Sequence, residues 1–166
     1  MPTLPPIGPS GSQPILTRED YVKIKTIDAA TQGAYNAITL FMTYDVAQGA
    51  LGMQNALEQL CIKAEQAVHD GFNIVILTDS QTSKMQIAIP ALLACSAVHQ
   101  HLVKTGLRTS TGLVISTGSA REVHHFALLA GYGAEAVHPW LAYRTIASMS
   151  DKPEEAGRTG AKPRSG

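Results

Sequence analysis

Between residues 37 and 149 the chain repeats one unit four times: a short apolar run, then a longer segment with apolar residues at helical spacing. "AITLFMT" (residues 37–43) precedes "MQNALEQLCIKAEQAVHDG" (residues 53–71), where Leu57, Leu60, Cys61, Ala64, Ala67 and Val68 form a helical stripe closed by Gly71. "NIVILT" (residues 73–78) precedes "IPALLACSAVHQHLVKTG" (residues 89–106), with Pro90 near the first turn and Gly106 at the end. "TGLVIST" (residues 111–117) precedes "SAREVHHFALLAG" (residues 119–131), with Ser119 as the expected N-cap. "AEAVH" (residues 134–138) precedes "PWLAYRTIASM" (residues 139–149). Strand–helix alternation demands an α/β fold with a mostly parallel sheet and right-handed crossovers. Four units make an open doubly wound sheet or half of a (β/α)8-type barrel, and are too few to close a barrel.

The flanks lack this pattern. Residues 1–14 are rich in Pro, Gly and Ser, and residues 150–166 are polar without apolar periodicity, so both read as disordered tails. Residues 15–36 read as a docking arm, with Thr17 and Asp20 resembling a weak capping box. The folded domain is then 37–149. A content of 45% hydrophobic and 16% charged residues suits one well-buried core. Thirteen basic and 13 acidic residues cancel, and no basic stripe exists, which argues against nucleic acid as a partner. Low charge gives little protection against association, which leaves homo-oligomers open. No apolar run reaches the ~20 residues of a membrane span, and the start has no charged and apolar leader pattern. The expectation is no membrane and a cytoplasmic or organelle-matrix location.

Chemistry in α/β folds sits at the carboxyl ends of strands. Three places qualify: Asp79 in "DSQTSKMQIAI", the "STGS" turn with Ser116, Thr117 and Ser119, and His138 before Pro139. Together they form a candidate anionic-ligand site, because a turn before a helix can hold a phosphate through its amides. Each also has a structural explanation. Asp79 can organise loop amides, and a strand-to-helix turn needs Gly and a capping Ser regardless. No dinucleotide or P-loop fingerprint occurs.

The remaining polar candidates read as structural. His99 and His101 lie roughly 200° apart on a helix, and His124 and His125 roughly 100° apart, so neither pair shares a ligand. Glu122 and His125 have i, i+3 spacing but no companion carboxylates, so no metal site is expected. Arg121 and His125 stand at i, i+4. Gly131 is expected as a left-handed C-cap, with Gly133 completing the turn. Cys61 and Cys95 sit in apolar helical patterns and are expected to be buried free thiols. No residue is assigned a catalytic role.

"GFNIVILTDS" and "IPALLACSAVHQHLVKTGLRTSTGLVISTGSAREVHHFALLAGYGAEAVHPWLAYRTI" resemble the central domain of the glutamate synthase large subunit. The similarity is continuous over about residues 37–146. It implies an α/β domain like the FMN-binding barrel in topology. It implies as partners an amidotransferase domain with an N-terminal cysteine and a synthase domain carrying FMN and an iron–sulfur cluster, with no cofactor held by this chain. The parent reaction it implies converts glutamine and 2-oxoglutarate into two glutamates, with this domain linking the active ones and framing the ammonia passage. "AREVHH" leans toward the nicotinamide-linked type. The chain departs from the family at Ser80, where the family commonly has Arg, and at "HPWLA" (residues 138–142), where it has "PYLA" after Asn or Cys. Set against that parent enzyme, the chain has no cysteine nucleophile at its start, two helical cysteines that cannot supply the clustered ligands of an iron–sulfur centre, and no evident FMN phosphate site, which favours a fragment, a split gene product or a relic. Two other readings stand beside it: a stand-alone α/β domain binding an anion at Asp79, Ser116, Thr117, Ser119 and His138, and an assembly module that buries an apolar face on another chain.

Overall fold

The computed structural model describes residues 14–150; of the tails expected at 1–14 and 150–166, residues 1–13 and 151–166 lie outside the described residues, while Pro14 hydrogen-bonds to Val137 and Ser150 ends a helix. Each repeat of the sequence becomes one unit of a parallel sheet. Its strands are β1 (Ala37–Phe41), β3 (Ile74–Thr78), β5 (Gly112–Ser116) and β6 (Ala136–His138), in the spatial order β1-β3-β5-β6. The strands are joined by helices α3 (Gly49–His69), α4 (Ala91–Lys104) and α5 (Val123–Gly131), and α6 (Trp140–Ser150) follows the last. Through these four strands the spatial order follows the chain, which is consistent with the half-barrel arrangement.

Strand parity divides the core. Val75, Leu77, Leu113, Ile115 and Val137 face α3, α4 and α5 and build the larger cluster with Leu60, Ala64, Ala94 and Leu102. Ile74, Ile76, Val114 and Ala136 face the opposite way, onto Leu16 and Ile24. β3 and β5 are buried at every position, as their unbroken apolar runs require.

The second face is covered by the segment before β1. Leu16 N donates to Val137 O (2.9 Å) and Val137 N to Pro14 O (2.7 Å), so residues 14–16 extend the sheet beside β6 in parallel register. Helix α1 (Arg18–Lys25) follows, then a single turn, α2 (Ile27–Ala30). Thr17 caps α1: Asp20 N donates to Thr17 Oγ1 (3.1 Å), while the Thr17 hydroxyl donates to Asp20 Oδ2 (2.8 Å).

Four local expectations need correction. The "AITLFMT" run breaks at Met42, and β2 (Thr43–Asp45) leaves the main sheet to pair antiparallel with β4 (Gln86–Ala88), inside what reads as a loop. Helix α3 starts at Gly49, four residues before Met53. Helix α5 starts at Val123, and Ser119 is not its N-cap. Of the two glycines in "GYG", the one with positive φ is Gly133 (φ 112°), whereas Gly131 is the last residue of α5.

Candidate functional site

Asp79 follows β3 directly and is 7% exposed. Its carboxylate gathers donors from the two neighbouring strand ends. Thr117 Oγ1 donates to Oδ2 (2.6 Å), Gly118 N to Oδ2 and Oδ1 (3.0 and 3.1 Å), and Trp140 Nε1 to Oδ1 (2.6 Å). Charge-assisted bonds of this length are the strong ones. The result is a polar staple tying the carboxyl ends of β3, β5 and β6. Gly118 has a steric reason as well: a Cβ there would lie 3.2 Å from Trp140 Cζ2 and 3.3 Å from Leu141 Cβ.

The turn after β5 is engaged with itself. Thr117 Oγ1 lies 2.9 Å from Ser119 Oγ, and Ser119 N donates to Thr117 Oγ1 (3.1 Å). Two amides suited to an anion, Gly118 N and Ser119 N, thus point to internal acceptors. Ser119 also lines an apolar cavity of about 160 Å³ between α4 and α5, with Ala91, Leu92, Ala120, His125 and Leu129.

Of the five residues grouped from the sequence, Asp79, Thr117 and Ser119 come together and Ser116 and His138 do not. Thr78, Ser116 and His138 are register partners, and parity places them with Val114 and Ala136 on the α1 face. His138 is 4% exposed, donates from Nδ1 to Leu16 O (3.1 Å), stacks on Tyr21 at 4.3 Å and meets Tyr143 at 5.7 Å. Burial holds its imidazole below the usual histidine range; the bond to Leu16 opposes this and the nearby Arg18 charge adds to it.

Of the other histidines, His99, His101 and His125 are hydrogen-bonded, and Glu65 also lies 3.9 Å from His69 Nε2. His101 Nε2 lies 2.6 Å from Glu65 Oε2, and His99 Nδ1 accepts from Arg108 Nε (3.0 Å). His125 Nδ1 accepts from Arg121 N (3.1 Å), which realises the i, i+4 pair through the backbone. Among the described residues no group of three His, Cys, Asp or Glu side chains converges on a metal position. Cys61 and Cys95 are buried free thiols, and burial raises both.

Two residues that matter were not singled out from the sequence. Trp140 sits one residue after the His138-Pro139 pair and closes the Asp79 staple. Arg108 does the equivalent at the amino ends. It donates to His99 Nδ1, to Thr111 O (2.7 Å) and Gly133 O (2.9 Å), and pairs with Glu135 Oε1 (2.9 Å).

The family model described as "Glutamate synthase central domain" matches residues 10–163. The chain belongs to the glutamate synthase central-domain family. Relatives include the "Glutamate synthase [NADPH] large chain" of Bacillus subtilis, 39% identical over 84% of this chain and 9% of its own length. The "Glutamate synthase [NADH]" of Saccharomyces cerevisiae is 34% identical over 82% of this chain and 6% of its own. The "Ferredoxin-dependent glutamate synthase 1, chloroplastic/mitochondrial" of Arabidopsis thaliana is 34% identical over 95% and 10%. This central-domain chain thus spans a tenth or less of the curated relatives it matches. Their names cover both nicotinamide- and ferredoxin-dependent enzymes, so similarity does not favour one electron donor. Among the described residues no helix is long and apolar enough to cross a membrane.

Proposed function

We propose that this chain is the linking central module of a glutamate synthase, without chemistry of its own, seated between an amidotransferase domain and an FMN-bearing synthase domain. The observation that carries this reading is the Asp79 staple. The polar group best placed for chemistry at the strand ends is surrounded by internal donors and is only 7% exposed. Its geometry suits holding three strand–helix junctions rigid. A rigid module is what two active domains need if an intermediate such as ammonia passes between them.

The cofactors of such an enzyme do not fit the described residues. An iron–sulfur cluster needs several clustered thiolates. Cys61 and Cys95 lie on different helices in the apolar core, and Cys95 Sγ donates to Tyr132 O (3.6 Å). A flavin phosphate needs free amides at a turn, and those of Gly118 and Ser119 serve Asp79 and Thr117. FMN and the cluster are therefore assigned to the other domains.

The test is a pair of assays. The purified chain should neither hydrolyse glutamine nor form glutamate from glutamine and 2-oxoglutarate. In the Bacillus subtilis large chain, deleting the matching segment should abolish glutamine-dependent glutamate formation, and inserting this chain's residues 10–163 should restore a measurable part of it. Turnover by the chain alone would sink the proposal, as would full activity in the deletion variant. Saturable phosphate binding lost in Asp79→Ala and Ser119→Ala would favour the stand-alone anion-binding reading instead.

A further inference from the structure

The sheet has two edges, and they are treated differently. The β6 edge is closed by residues 14–16 through two short backbone bonds. Among the described residues the β1 edge is unpaired. Asn36 O accepts from Ile74 N and Met42 N donates to Thr78 O, so the even-numbered residues of this stretch point at β3. Parallel pairing then turns the N–H and C=O of Ala37, Thr39 and Phe41 outward. Among the described residues no backbone bond joins these three to anything beyond the β1–β3 ladder.

Natural edge strands are usually blunted by Pro, Lys or a bulge. β1, "AITLF", has none of these. Beside it a groove of about 200 Å³ runs between β1 and α3, lined by Leu40, Phe41, Ala56, Gln59, Leu60 and Lys63. Phe41 is 44% exposed, and so is Ile62 at 52%, three residues beyond Gln59 on α3. The open backbone row thus lies next to exposed apolar surface.

We propose that this edge pairs with β1 of a second copy of the chain, antiparallel about a two-fold axis at Thr39. The outward residues are evenly spaced around Thr39, so one register satisfies all of them. Thr39 meets Thr39 of the other copy, and Ala37 meets Phe41 on both sides of it. Each such pair exchanges two backbone hydrogen bonds. The side-chain pairing is complementary: the large Phe41 sits opposite the small Ala37, and Thr–Thr is a favourable cross-strand pair. A net charge of zero puts no repulsion between the copies. A five-residue edge is a small contact, which belongs with the weak, concentration-dependent interfaces.

Thr39→Pro deletes one outward N–H without touching the β3 ladder, and edge strands tolerate such a proline. Sedimentation equilibrium of the full chain over a hundredfold range of concentration should show mass rising from one chain toward two. Thr39→Pro and Thr39→Lys should stay at one chain with unchanged circular dichroism. Hydrogen exchange at the Thr39 and Phe41 amides should slow with concentration in the unmodified chain. A monomer throughout the range overturns the proposal and leaves the edge to a different partner. A dimer that persists in either folded variant overturns it too, because pairing would then use another surface.

Discussion

Trp140 Nε1 donates to Asp79 Oδ1 across 2.6 Å, joining the start of the last helix to a loop 61 residues earlier. This bond completes the set of donors around one buried carboxylate. Asp79→Ala strands the donors of Thr117, Gly118 and Trp140 in a closed site. The expected loss is about 3 kcal/mol of unfolding free energy, because each unsatisfied buried donor costs on the order of 1–3 kcal/mol. Trp140→Phe removes one donor and leaves the others, so it should cost about 1–2 kcal/mol. Urea unfolding followed by circular dichroism checks both. Equal effects from the two substitutions would contradict a staple centred on Asp79.

His138 makes stability depend on pH. Its imidazole is held below the ordinary value of 6.5 by burial, helped by Arg18, so the folded state resists taking a proton that the unfolded chain accepts. The unfolded state therefore binds more protons between the depressed folded value and 6.5, and stability rises with pH across that window. Above it the contribution is complete and flat. As pH falls from 7, the urea midpoint should decline through this window and then level off. His138→Phe keeps the stack on Tyr21 and cannot titrate, so its profile should be flatter than that of the unmodified chain. Parallel profiles for the two proteins would exclude His138 as the source.

Cys95 should be chemically quiet. Burial pushes its thiol up to about 11, and burial raises Cys61 as well. At pH 8 that leaves roughly one Cys95 in a thousand as thiolate, and the thiolate is the reactive form. Labelling with a disulfide reagent should be slow in the native protein and complete in denaturant. Stoichiometric labelling of the native chain within mixing time would contradict the buried placement.

What the sequence made legible follows from how far its signals reach. Four strand–helix units were readable because long apolar periods survive local detail, and "NIVILT" announced a strand buried on both faces. The pairing of β2 with β4 was not readable: each strand has three residues, and some 40 residues separate them. The candidate site was half legible. Asp79, Thr117 and Ser119 were grouped by their position at strand ends, but Ser116 and His138 were grouped with them by the same rule. Strand parity, counted from Val114 and Ala136, would have sent both to the α1 face. Ser119 looked like a cap because helical residues follow it, yet Thr117 and Asp79 claim the turn's amides and delay the helix to Val123. Arg108 gave no local signal, since its partners come from three separate segments.

Two neighbouring glycines separate packing from conformation. Gly133 has φ 112°, which disfavours any side chain, and a Cβ there would run into the His99 ring. That ring cannot easily yield, because Arg108 holds it through Nδ1 and is itself fixed by Thr111 O, Gly133 O and Glu135. Gly133→Ala should therefore cost about 2 kcal/mol or more in urea unfolding, from backbone strain and the clash together. Gly131 lies in α5 with nothing within 4 Å of an added Cβ, so Gly131→Ala should be neutral or stabilising by about 0.5–1 kcal/mol. A large loss at Gly131 with little at Gly133 would reverse the assignment and place the left-handed turn at the helix end itself.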